Sequence, residues 1–204
     1  MTVAKGWPVP DINPDAPVLE NARKVMAVRI AEFYSYEPFV TRPEHSIELH
    51  DLRIAAKRLR YTLELFEPEF GAEGKRLIAR VKDLQEELGN LHDHDVRIEF
   101  IGDELSKAML DVSLQTRQAI ADAPIDRIAS MATVALRPPP DDPRRGLIAL
   151  LGREHIARRG AYDRFRTLWE SFHAEGLRRD LVNLSVTPIV TSSDQTRGDD
   201  GQAA

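Results

Sequence analysis

His50, Arg53, Lys57 and Arg60 follow one another at steps of three, four and three. At about 100° per residue they fall within an arc of about 80° on one side of a helix. A row of cations along one helix edge can hold an extended anion at several points at once. Guanidinium groups suit phosphate oxygens because each donates two parallel hydrogen bonds. Arg58 falls outside the arc, with a side chain long enough to reach over it. A linear polyphosphate repeats its negative charge along its length and matches such a row in kind. The plain alternative is the solvated face of an amphipathic helix, with Glu64 pairing to Arg60 one turn away.

Two further clusters carry chemistry. Arg144, Arg145, Arg153, Arg158, Arg159, Arg164 and Arg166 crowd one stretch, opposed by Glu154 and Asp163 alone. His155, Arg159, Tyr162 and Arg166 share a narrow helical face there. If this helix packs beside the first, their basic faces would wall one groove; a solvated face is again the alternative. The third cluster is His92, Asp93, His94 and Asp95. Two imidazoles two residues apart diverge on a helix and suit a single metal ion poorly. A helix start with Asp93 as N-cap accounts for the acids better. Asp93 or Asp95 could also orient an arginine of the basic ridge that His50 begins. No catalytic residue, metal site or cofactor follows from these residues.

The elements that must position them are helical. Apolar residues recur at three- and four-residue steps almost throughout, and no run alternates as a strand would. The pattern predicts helices from about Val18 to Tyr36, from about His45 to Phe66, and near Ala72 to Leu88 with Gly89 as C-cap. A fourth starts near His92, carrying Ile98, Ile101, Leu105 and Met109 on one side. Leu114 to Leu136 reads as Ala-rich helix interrupted at Pro124. Pro138, Pro139 and Pro140 break the chain, and a last long helix runs from about Pro143 to Ala174. The expected fold is all-α, an antiparallel bundle of five to six helices. It comprises an irregular segment 1–17, a helical domain 18–184 and a disordered tail 185–204.

Composition narrows the function classes. The 204 residues hold no cysteine, which removes disulfides, zinc–thiolate sites and cysteine nucleophiles. Charged residues are 30% and the net charge is −5, so any polyanion site must come from clustering rather than total charge. That balance disfavours a general nucleic-acid binder. The proline-rich start is neither a signal peptide nor an anchor, and no stretch approaches a membrane span. A cytoplasmic location is the expectation.

Together these stretches resemble the CHAD domain, the conserved-histidine α-helical domain. The likeness rests on residues 50–61, His-Asp-Leu-Arg-Ile-Ala-Ala-Lys-Arg-Leu-Arg-Tyr, then Glu64-Leu65-Phe66. It continues through Leu84-Gln85-Glu86-Glu87-Leu88-Gly89 and His92-Asp93-His94-Asp95-Val96. It covers about residues 18–110, and Arg158, Tyr162, Phe165 and Trp169 follow the family's later helix more loosely. The resemblance implies a helical bundle that binds inorganic polyphosphate without catalysis, in association with polyphosphate granules. By position it implies His50, Arg53, Lys57, Arg58 and Arg60 as anion contacts. His155, Arg158, Arg159 and Arg166 join them from the last helix, with Tyr61, Asp93 and Asp95 in support. Family members carry two basic halves, whereas the Lys-Arg-Leu-Arg-Tyr motif occurs here once; a homodimer would restore a second by symmetry. Two other classes stay open: a metal-dependent phosphate-processing enzyme using the His/Asp cluster, and a protein-interaction bundle.

Overall fold

Proline and glycine set most of the helix boundaries. The computed structural model describes residues 5–135 and 142–186. Helix α1, Val18–Tyr34, begins directly after Pro17. A single 3₁₀ turn, Glu37–Phe39, forms around Pro38. Helix α2 is Ser46–Leu65, and α3 is Glu67–Ala121. Pro124 lies in the break before α4, Ile128–Ala135. Helix α5, Pro143–Ala174, and α6, Leu177–Val186, complete the chain. Among the described residues the protein is all-α, with six helices and no strand.

Local chemistry explains the sharper ends. Gly71 sits inside α3 at φ 57° and ψ −141°, a region that side-chain-bearing residues avoid. It separates a first turn from the regular helix, which starts at Ala72 as the pattern predicts. Asp142 caps α5 by accepting a 2.9 Å bond from the Arg144 backbone N–H, and Pro143 fills the first helical position, where no donor is needed. Gly176, at φ 83°, ends α5 in the left-handed conformation and lets the chain turn into α6.

Two expectations are corrected here. The predicted third and fourth helices are one: Gly89 does not cap, and Asp93 is not an N-cap but a residue in the middle of α3. Leu77, Val81, Leu84, Leu88 and Leu91 are all essentially buried and step without interruption across Gly89. A helix-interior glycine costs about 1 kcal/mol, whereas burying Leu88 and Leu91 stabilises by about 2 kcal/mol each, so the stripe wins. The second correction is α6. Ser185 was expected in a disordered tail, yet it is buried in the last turn of this helix. The expected break at Pro138–Pro140 and the rest of the tail lie outside the described residues.

The chain divides into two compact units. The first comprises Met1–Pro38, Asp51–Gln85 and Trp169–Ala204, the second Phe39–His50 and Glu86–Leu168. In the first, α1 packs on α6. The Phe33 and Tyr34 rings lie 5.4 and 5.9 Å from that of Trp169. Arg76 ties the start of α3 to Asp180 of α6 at 2.6 Å. In the second unit, α3 and α5 run antiparallel. Glu87 meets Arg164 at 3.3 Å, while further along α3 His94 meets Glu154 at 2.7 Å, earlier on α5. The buried Tyr162 hydroxyl donates to the Val40 carbonyl at 2.9 Å.

Candidate functional site

The cations of the first unit stand on α2, opposite the face that buries Leu52, Ala55, Ala56, Leu59 and Leu63. Arg53 and Arg60 are half-buried and Lys57 is exposed. Their stems therefore lie along the protein while their heads reach the surface. The Nε atoms of Arg53 and Arg60 are both buried with no hydrogen-bond partner. Glu64 does approach the Nε of Arg60, but at 3.6 Å, an ion-pair distance too long for a hydrogen bond. Tyr61 sits between the last two cations: the Arg60 guanidinium lies 4.7 Å from its ring centroid and the Lys57 ammonium 5.6 Å. A ring face so placed stabilises both charges and restricts their reach.

Arg58 has a different place from its neighbours. It donates at 2.6 Å to Glu32 of α1, a carboxylate that is 1% exposed. Arg29 donates to the other oxygen of Glu32, and its second outer nitrogen reaches the Trp7 carbonyl at 2.8 Å. Gly6 lies over both arginines, close enough that a Cβ there would meet the Arg58 Nε at 3.3 Å. Arg58 is thus tied to the buried Glu32 while its own side chain stays partly exposed. Sequence reasoning missed Glu32 and Arg29. The available signal was a charged residue, Glu32, directly beside the apolar position Phe33, with Arg29 one turn before it.

In the second unit the two histidines at the start of the likeness meet. His50 and His92 place their Nδ1 atoms 3.1 Å apart, with ring centroids at 4.3 Å. Such a contact needs one ring to donate and the other to accept. The His/Asp stretch, being helix interior, spreads its side chains around α3. His94 turns to Glu154, which also lies 3.9 Å from Arg97. Asp95 pairs with Arg158 across to α5, an arginine of the last helix and not of the α2 ridge. Asp93 is exposed. Among the described residues no three His, Asp or Glu side chains converge as metal ligands.

The remaining α5 candidates, His155, Arg159 and Arg166, are exposed in the second unit. Arg159 lies 3.9 Å from Asp163. Tyr162, predicted to share their face, is buried instead; burial pushes its hydroxyl above the usual tyrosine range. The structure therefore brings together Arg53, Lys57, Arg60 and Tyr61 in one unit, and His50 with His92 and Asp95 with Arg158 in the other. No described helix is long and apolar enough to cross a membrane.

Compared with known protein families, residues 6–102 match the CHAD domain. No curated protein and no solved structure matches the chain.

Proposed function

We propose that this protein, whose residues 6–102 match the CHAD domain, binds inorganic polyphosphate through the cationic face of α2 and performs no chemistry on it. The observation that carries the reading is the pair of arginines, Arg53 and Arg60, whose buried Nε donors lack partners on one helical arc. A buried unsatisfied donor costs about 1–3 kcal/mol. A phosphate that draws these guanidiniums into its own hydrogen bonds would relieve that cost, which gives the anion an advantage over water. Lys57 stands between them and adds a third charge; Tyr61 holds Lys57 and Arg60 in place. With a net charge of −5, the attraction for a polyanion must come from a local cluster of cations such as this one. Affinity for a long polymer would also draw the protein to polyphosphate granules.

The non-enzymatic role has its own support. Two carboxylates close to this stretch are already engaged, Asp95 by Arg158 and Glu154 by His94. Neither is placed to share a metal-bound phosphate with a second acid. Polyphosphate incubated with the protein and magnesium is expected to keep its chain length; shortening would establish the enzymatic alternative.

The binding test is the double variant Arg53→Glu with Arg60→Glu. Its helical circular dichroism is expected to match the parent while polyphosphate binding is lost. Three cations meeting three phosphates give a slope of roughly −2 in log affinity against log salt, so a fourfold rise in salt weakens binding roughly 15-fold. Full affinity in the folded double variant would remove α2 as the site.

A further inference from the structure

The half of α3 beyond the histidines presents an apolar stripe to solvent. Val96 is 48% exposed, Phe100 65%, Leu110 60% and Leu114 52%. Asp103 and Lys107 stand between them on the same stripe, both exposed. The spacing from 96 to 114 is four, three, four, three, four, the two-position repeat of a coiled-coil seam. The opposite face of the same helix carries the buried Ile101 and the half-buried Ile98, Leu105 and Val112, and is already used for packing within the second unit. The stripe is therefore a second apolar face on a helix that has one partner face filled.

The order of residues says what fits it. The stripe is self-complementary about Leu105: Val96 and Leu114 are equally distant from that point, as are Phe100 and Leu110, and Asp103 and Lys107. We infer that this face of α3 pairs with the same face of a second copy of this chain, antiparallel about a two-fold axis that crosses the stripe at the height of residue 105. Val96 then packs on Leu114 of the second copy and Phe100 on its Leu110. Asp103 meets Lys107 of the second copy twice, once on each side of the axis. A two-fold interface must satisfy itself in this way, residue i on j and j on i. A parallel pairing would instead set Asp103 on Asp103 and Lys107 on Lys107, so the central charges select the antiparallel arrangement. Along one edge Arg97 comes opposite Asp111 of the second copy. The two Glu104 carboxylates approach each other near the axis, each already bridged by its own Lys107 at 2.7 Å. The seam spans about 27 Å of helix, short enough that the pair should come apart on dilution.

Sedimentation equilibrium of the whole chain tests this over a wide range of concentration. The parent is expected to dimerise reversibly. Asp103→Lys places like charges on both sides of the axis and is expected to weaken the dimer at least about tenfold; adding Lys107→Asp restores it. Because the chain has no cysteine, a covalent readout is available too. Val96→Cys with Leu114→Cys should cross-link two copies on oxidation, whereas Val96→Cys alone should not, its two sulfurs lying about 27 Å apart across the seam. A parent that stays monomeric throughout, a charge swap that fails to restore the dimer, or a lone cysteine that cross-links as well as the pair would each overturn the assignment.

Discussion

Glu32 shows how a single carboxylate decides what its neighbours can do. It is buried, and it pairs with both Arg29 and Arg58, the cation that spacing already sets outside the arc of Arg53, Lys57 and Arg60. Removing it takes the shared carboxylate from both guanidiniums, and breaking such a buried pair costs about 3 kcal/mol or more. Glu32→Ala is accordingly expected to lower the unfolding free energy by about 3 kcal/mol in urea titration. Arg58→Ala should also register as lost stability. An Arg58→Ala protein as stable as the parent but weakened for polyphosphate would return this residue to the binding face. The spacing of Arg53, Lys57 and Arg60 was legible because helical geometry is local. The fate of Arg58 was not, because its partner lies 26 residues upstream on another helix. Asp95 could be suspected of holding an arginine, but that the arginine is Arg158, 63 residues away, needed the fold.

Helices α3 and α6 are joined by charge as well as by packing, and that junction makes stability sensitive to acid. Hydrogen bonds from Arg76 hold the carboxyls of Asp180 and Glu73 below their ordinary values of 3.8 and 4.5. A carboxyl whose pKa is lowered in the folded state adds stability above its unfolded value and loses it as pH falls through the folded value. Thermal stability of the parent should therefore decline as pH drops below 4.5, and the decline should be shallower in Arg76→Met. Equal slopes in the two proteins would show that the junction contributes nothing in water. At this scale the sequence was most readable where punctuation was chemical: Asp142-Pro143 starts α5, and Pro124 precedes α4. It misled where punctuation was weak. Gly89 resembles a cap, but the leucine stripe from Leu77 to Leu91 outweighs it. Met109 and Leu150 fall on predicted apolar faces yet are exposed, since periodicity assigns a face without saying what covers it. Helix α6 was placed within the helical domain but not drawn as a helix of its own, because its apolar residues Leu177, Leu181 and Leu184 make too short a stripe to stand out until they are seen to be buried.

The family match and the folding unit do not have the same extent, and this fixes the behaviour of fragments. Residues 6–102 carry the whole match, yet the first unit is completed by residues from Trp169 onward. Phe33 and Tyr34 of α1 rest on the Trp169 ring, and Leu177, Leu181 and Leu184 are buried in the same unit. Losing these four side chains removes about 8 kcal/mol of apolar burial, comparable with the whole stability of a typical domain, about 5–15 kcal/mol. The ion pairs of Arg76 and Arg80 with Asp180 and Glu175 go with them. A fragment ending at residue 110 keeps Arg53, Lys57, Arg60 and Tyr61 in sequence, but not the buried residues of α6 and Trp169 that complete their unit. It is expected to show partial helicity and a broad, non-cooperative melt by circular dichroism, whereas the full chain melts sharply. Its polyphosphate binding should be weaker in proportion, because a row of cations on a fraying helix must be ordered before it can grip. A fragment that melts as steeply as the full chain would mean that the matched residues fold alone, and that α6 and Trp169 only decorate a core already closed.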